Sequence, residues 1–205
     1  MPPLVVVDPP SWQGAANARN LTALALRLAY RLHPHGAHHV GTSGALLMVA
    51  PCEGVLAGSV LRALCPRPIH VVANEAMDVA LPHGAMVRSG DVPISGPFAV
   101  ATQRTALAAL ADERAVAVVG AAVPVGYLVA ATGVEVMPVV LFGAQGQVLT
   151  DPPRPRSRID VYFAPPVAIT VQGDPLRSAT RAAVAEQVRQ IVADAEHLAA
   201  QRSGR

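Results

Sequence analysis

Cys52 and Glu53 lie in the stretch LLMVAPCEGVLAGSVLRAL, Leu46 to Leu64, where an apolar run meets a Pro-containing turn and then a helical pattern. At such a turn the helix N-terminus favours negative charge. A cysteine there could be an activated thiol, drawn down from its usual pKa of about 8.5, and could form an acyl-cysteine intermediate. It fits equally as a small buried apolar residue. Glu53 could act as a base, or only complement the helix dipole as a first-turn acid. No partner base is identifiable beside either residue.

Histidines gather in HPHGAHH, where His33, His35, His38 and His39 fall within seven residues, a density that suits imidazole ligation of a metal. Pro34 and Gly36 break any helical register, and neither cysteine nor carboxylate completes the set. Surface histidines, with no metal, are the expectation. His70 sits inside the apolar run IHVVAN and reads as a core residue; outside the last helix, only His83 remains. Arg154, Arg156 and Arg158 in DPPRPRSR could grip a phosphate or an acidic partner, or simply be solvated. The Gly-containing turns VVGAAVPVG and LFGAQGQ have neither the G-x-G-x-x-G spacing nor a Walker lysine, so nucleotide binding is set aside and no cofactor is expected.

Positioning these residues requires a core, and at 205 residues the chain can bury one. Apolar residues make up 52% and aromatics only 3%, so that core must be built from Ala, Val and Leu. All 16 basic Lys+Arg positions are arginine, and the net charge of +2 is too small to imply nucleic acid. Cys52 and Cys65 fit neither a zinc spacing nor a disulfide framework. The opening MPPLVVVDPPSW lacks the basic region and cleavage site of a signal peptide, and no apolar run reaches the roughly 20 residues that span a bilayer. A cytoplasmic protein with reduced thiols is expected, with peripheral contact on the inner face of a membrane left open.

Residues 11–32 read as a helix capped by Ser11, with Leu21, Leu24, Leu28 and Leu32 at helical spacing and Arg19, Arg27 and Arg31 bordering them. That stripe could pack on the domain, or lie on a membrane surface with its arginines snorkelling. HPHGAHHVGTSG reads as a loop, Ala45–Ala50 as a buried strand and about Gly54 to Leu64 as a helix. Ile69–Asn74 is a second strand, with a further short one near Val87. PFAVATQRTALAALADE is a helix, Ala115–Val119 a third strand, and PVGYLVAATG a short helix ended by Gly133. VEVMPVVLFG is a fourth strand and IDVYFAPPVAI an edge strand. Residues 174–202 form a long helix, with Asp174 as cap and Pro175 in its first turn. Strands alternating with helices imply an α/β layered domain with a mainly parallel central sheet flanked by helices.

Six segments in this order carry a resemblance: ALLMVAPCEGVLAGSVLRAL, RPIHVVANEAM, GDVPISG, RTALAALADERAVAVVG, GYLVAATGVEVMPVVLFG and RSRIDVYFAPPV. Together they resemble the glycerolipid acyltransferase family, which includes the 1-acylglycerol-3-phosphate acyltransferases. The resemblance covers roughly Gly36 to Val167 and, with no linker or internal repeat in the sequence, implies a single acyltransferase-like domain over 1–205. It also implies a site in which a His, oriented by an Asp five residues later, acts as general base on a glycerol hydroxyl that attacks an acyl thioester. Aligned with that pattern, Pro51 stands at the Asn that precedes the His, Cys52 at the His and Ala57 at the Asp. Ser95 and Gly96 follow the Ile/Val-Asp segment where the family places a phosphate-gripping Arg. The turn GAAVPVG stands where Glu-Gly-Thr-Arg is expected and offers no carboxylate, hydroxyl or guanidinium.

Cys52, Glu53, Ala57, Ser95 and Gly96 are thus the degenerate positions of a substrate site, and no catalytic residue is assigned. The expected function is that of a catalytically degenerate phospholipid acyltransferase-like protein, a partner or regulatory subunit that binds another protein and an acyl chain or lipid. The alternative is an active lysophosphatidic acid O-acyltransferase with displaced catalytic groups. A His–carboxylate pair facing the pocket beneath Cys52 would favour it.

Overall fold

The computed structural model describes residues 12–74, 92–94, 100–120, 124–148 and 151–204. Strands β1 (Arg31–His35), β2 (Leu46–Ala50), β3 (His70–Asn74), β4 (Val92–Ile94), β5 (Ala115–Val119), β6 (Val136–Phe142) and β7 (Arg158–Phe163) form one seven-stranded sheet in the order β1-β7-β6-β2-β5-β3-β4. Every pairing is parallel except β6 with β7. Helices α1 (Trp12–Ala29) and α2 (Ala57–Leu64) cover one face. Helices α3 (Val100–Ala111), α4 (Val125–Thr132) and α5 (Ser178–Ser203) cover the other. This is the layered, mainly parallel α/β architecture that the alternation of segments predicts.

All residues of β2 and β5 are buried, which is why both read as unbroken apolar runs. Alternate side chains part to the two faces: Met48, Ala50, Met137 and Val139 join α2 in one core, and Leu47, Val49, Val116 and Val136 join α3, α4 and α5 in the other. His70 is fully buried within β3, as a core histidine would be. Gly133 closes α4 in the left-handed conformation at φ 66°, the role expected of it.

Several local expectations are corrected. HPHGA is not all loop: Arg31–His35 pairs with β7 and continues into a short 3-10 turn, Ala37–His39. Pro34 is tolerated because β1 is an edge strand whose outer side needs no donor. With β1 outside it, β7 is hydrogen-bonded on both sides and is not the edge. Helix α2 starts at Ala57 rather than Gly54, and α5 at Ser178, with Arg177 at the cap position. Asp174 instead closes a local turn, accepting from the Leu176 N–H at 2.9 Å. Strand β4 falls in a segment expected to be mostly loop. Ser11 and the strand near Val87 lie outside the described residues.

Helix α1 ends at Ala29 rather than at 32, so Leu32 falls in β1 and packs against the core, while the rest of the expected leucine stripe does not pack on the domain. Leu21, Leu24 and Leu28 are 72%, 62% and 80% exposed. The opposite side of the helix is the one that docks, with Ala15 and Leu26 buried and Ala23 and Tyr30 against the core. Arg19 donates to the Pro66 carbonyl at 2.8 Å and so belongs to the docked side.

Candidate functional site

The turn after β2 lies where parallel strands end, the crevice in which open α/β sheets bind ligands. Cys52 is 8% exposed there, and Glu53 points to solvent. Gly54 lies hard against the loop that follows β6, where a Cβ would stand 2.7 Å from the Ala144 carbonyl oxygen. Pro51 and Cys52 line a cavity of about 630 Å³ together with Val140–Gly143, Gln145 and, from α5, Glu196, His197 and Ala200. The Gln145 amide approaches the Cys52 Sγ at 3.8 Å. Burial pushes the Cys52 thiol up, the Gly54 backbone and Gln145 only partly oppose this, and neighbouring Glu53 adds to the rise. Such a thiol is neutral near pH 7, the opposite of an activated nucleophile. Cys65, at the end of α2, is a second buried free thiol, pushed up to about 11 chiefly by burial.

Ala57, the first residue of α2, is fully buried in the core beneath α1. It offers nothing to orient a base. Ser95 and Gly96 lie outside the described residues, as do 121–123 of the GAAVPVG turn. Among the described residues no three His, Cys, Asp or Glu side chains converge as metal ligands would. The His38 and His39 rings face each other, centroids 4.1 Å apart.

A His and a carboxylate do line the cavity below Cys52, though not as a relay. Glu196 and His197 are consecutive on α5, so their side chains diverge around the helix. His197 Nε2 is 2.8 Å from the Gln201 amide. A true His–carboxylate pair forms elsewhere, on the open face of β1 and β7. Arg158, Asp160 and Tyr162 alternate with Ile159, Val161 and Phe163, the first set toward α5 and the second mostly into the core beneath α1. His35 Nε2 lies 2.9 Å from Asp160 Oδ1, with side chains 39% and 5% exposed respectively. Arg158 donates to both Asp160 oxygens at 2.8 Å. The His35 ring stacks on Tyr162 at 4.3 Å, and Phe142 meets Tyr162 edge-on at 5.8 Å. This cluster borders a second cavity of about 800 Å³, across which α5 lays Ile191, Ala195 and Leu198. Val140 lines both cavities.

In sequence Asp160 belongs to no motif, His35 falls in a His-rich stretch without helical register, and Arg158 belongs to the Pro/Arg segment DPPRPRSR. The period-2 alternation of RIDVYF was the available signal. It could not say which strand would bring a histidine alongside.

Burial alone would raise the Asp160 carboxyl, but the bonds from Arg158 and His35 outweigh it and hold the group below the usual carboxylate range. Its ionised form therefore stabilises the fold above the unfolded value of about 3.9. That contribution is lost as pH falls through the lower folded value. Asp160→Asn is expected to flatten the acid limb: between about pH 4 and pH 2 the urea midpoint of the wild type falls faster than that of the variant. Arg158 is 59% exposed, so solvent screens the pair and the difference stays modest. Identical acid limbs would show that the contact contributes nothing.

No family model matches the chain, and no curated protein matches it. Among solved structures it is similar to the crystal structure of the 1-acyl-sn-glycerophosphate (LPA) acyltransferase PlsC from Thermotoga maritima. The likeness covers 88% of this chain and 78% of that one, at a TM-score of 0.61 and 17% identity. At this identity the likeness shows the fold alone: the chain has the α/β fold of that acyltransferase. Among the described residues no helix is long and apolar enough to cross a membrane.

Proposed function

We propose that this protein is a catalytically degenerate acyltransferase-fold protein that holds an acyl chain or lipid at an anionic membrane surface as a partner or regulatory subunit. The observation that carries this reading is the end of β2. A desolvated, neutral thiol stands where the resemblance puts a base, and a core alanine where it puts the orienting carboxylate. A general base supplies roughly 10²–10⁴-fold. With acyl thioester and lysophosphatidic acid, the purified protein is expected to show no turnover above background.

One observation favours the second reading, an enzyme with displaced groups: Glu196 and His197 reach the cavity beneath Cys52. Turnover that His197→Ala or His35→Ala abolishes would establish that reading, and turnover lost in Cys52→Ala would restore the reactive thiol.

The surface of α1 supports the membrane part of the proposal. Its exposed leucines share the helix with exposed Arg27, and exposed Arg31 opens β1 just beyond the helix. The Arg/Pro loop adds exposed Arg154 and Arg156 at the end of the same helix, where the Arg156 N–H bonds the Ala29 carbonyl at 2.6 Å. Apolar insertion rimmed by cations fits a lipid surface with anionic head groups. Full burial of a leucine contributes roughly 1.5–3 kcal/mol. Replacing Leu21, Leu24 and Leu28 by serine is expected to weaken binding to phosphatidylglycerol vesicles at least about tenfold, with the urea midpoint unchanged. An insoluble or destabilised triple variant would instead assign the stripe to a protein contact.

A further inference from the structure

We propose that the 800 Å³ groove between α5 and the open face of β6, β7 and β1 binds one long-chain carboxylate, with its head at Arg202 and its chain along Leu198, Ala195 and Ile191. The inference rests on the lipid-binding part of the reading above and gives it a site and a ligand class. The volume falls within the range of about 300–1,000 Å³ typical of small-molecule sites.

Ile191, Ala195, Leu198 and Arg202 are spaced i, i+4, i+7 and i+11, so they share one stripe of α5 about 16 Å long. Pro138, Val140 and Val167 border the same groove. Leu198 lines it yet is 52% exposed, an apolar wall that no described residue covers. A groove of this length has room for a single extended apolar chain.

Charge decides the head group. Asp160 has both oxygens bound, by Arg158 and His35, so the Arg158 charge is already balanced. Arg202 is exposed and makes no hydrogen bond or ion pair with any described residue. Its guanidinium can take a carboxylate through two parallel N–H donors. Asp194 also lines the groove, two turns earlier on α5, where it accepts from the Gln190 amide at 2.9 Å. A carboxylate is repelled there, which directs the head toward Arg202 and the tail toward Ile191.

Calorimetric titration of dodecanoate into the full chain tests the assignment, with dodecyltrimethylammonium as the cationic control. One dodecanoate per chain is expected, bound more tightly than the control. Leu198→Asp, at an exposed position that leaves the fold intact by circular dichroism, weakens dodecanoate on the order of tenfold or more. Arg202→Gln narrows the preference over the control about two- to fivefold. Equal affinity for both amphiphiles overturns the carboxylate assignment. Binding that survives Leu198→Asp but is lost in Ala200→Trp, which fills the cavity beneath Cys52, overturns the groove and leaves the lipid-binding reading standing. No binding of either amphiphile overturns both.

Discussion

Ala57→Asp is expected to lower stability by about 3–5 kcal/mol, the range for an uncompensated buried charge. Ala57 is fully buried, and it sits in the core with Met48, Val60 and Leu61 rather than at a solvent-filled site. A carboxylate there loses its hydration without a cation to replace it. Its place at the start of α2 returns at most roughly 1 kcal/mol through the helix dipole. Adding Cys52→His supplies a partner and recovers part of the loss, which a double-mutant cycle on urea midpoints would measure. Acyl transfer by the double variant is expected to stay near background, because Ser95, Gly96 and GAAVPVG still bring no cation to a substrate phosphate, and charge stabilisation carries much of such a barrier. A wild-type midpoint for Ala57→Asp would mean that position 57 reaches solvent. Strong activity in the double variant would place a phosphate grip elsewhere in the chain.

Gly126→Ala is expected to cost about 2–3 kcal/mol, although it adds a single methyl group. Gly126 is where α4 crosses α5 at backbone contact. A Cβ there would collide with the Arg181 carbonyl oxygen and stand 2.9 Å from the Ala185 Cβ. Neither obstacle is the movable end of a side chain, so one helix must shift and Leu128 and Val184 must repack. For a chain of this size that corresponds to a fall in Tm of roughly 4–12 °C. Thermal unfolding followed by circular dichroism reads it directly, and Ala185→Gly in the same chain should return part of the loss. A variant as stable as wild type would show that α4 and α5 are not held as tightly as their backbones imply.

Both expectations depend on where the sequence stops being informative. The continuous apolar runs at β2 and β5 read as buried strands, because neither Leu46–Ala50 nor Ala115–Val119 carries a polar side chain to turn toward water. Their alternation with helical patterns already determined the layered, mainly parallel architecture. Residue types also carry the proposed loss of a base and its orienter at the end of β2: neither Cys52 nor Ala57 can become a histidine–aspartate pair by folding. The helical spacing of Leu21, Leu24 and Leu28 was equally plain, yet spacing reports that residues share a face and not which way the face turns. Docking of α1 through Ala15, Leu26 and the Arg19 hydrogen bond turned the leucines outward. HPHGAHH looked like a loop because Pro34 and Gly36 forbid a helix and weaken a strand. Only pairing with β7, from the far end of the chain, made it an edge strand and left β7 in the interior. That one pairing sets His35 beside Asp160, and α5 lying across their open face makes the groove. Local propensity acts over a few residues, whereas both contacts are long-range, so they belong to the tertiary structure alone.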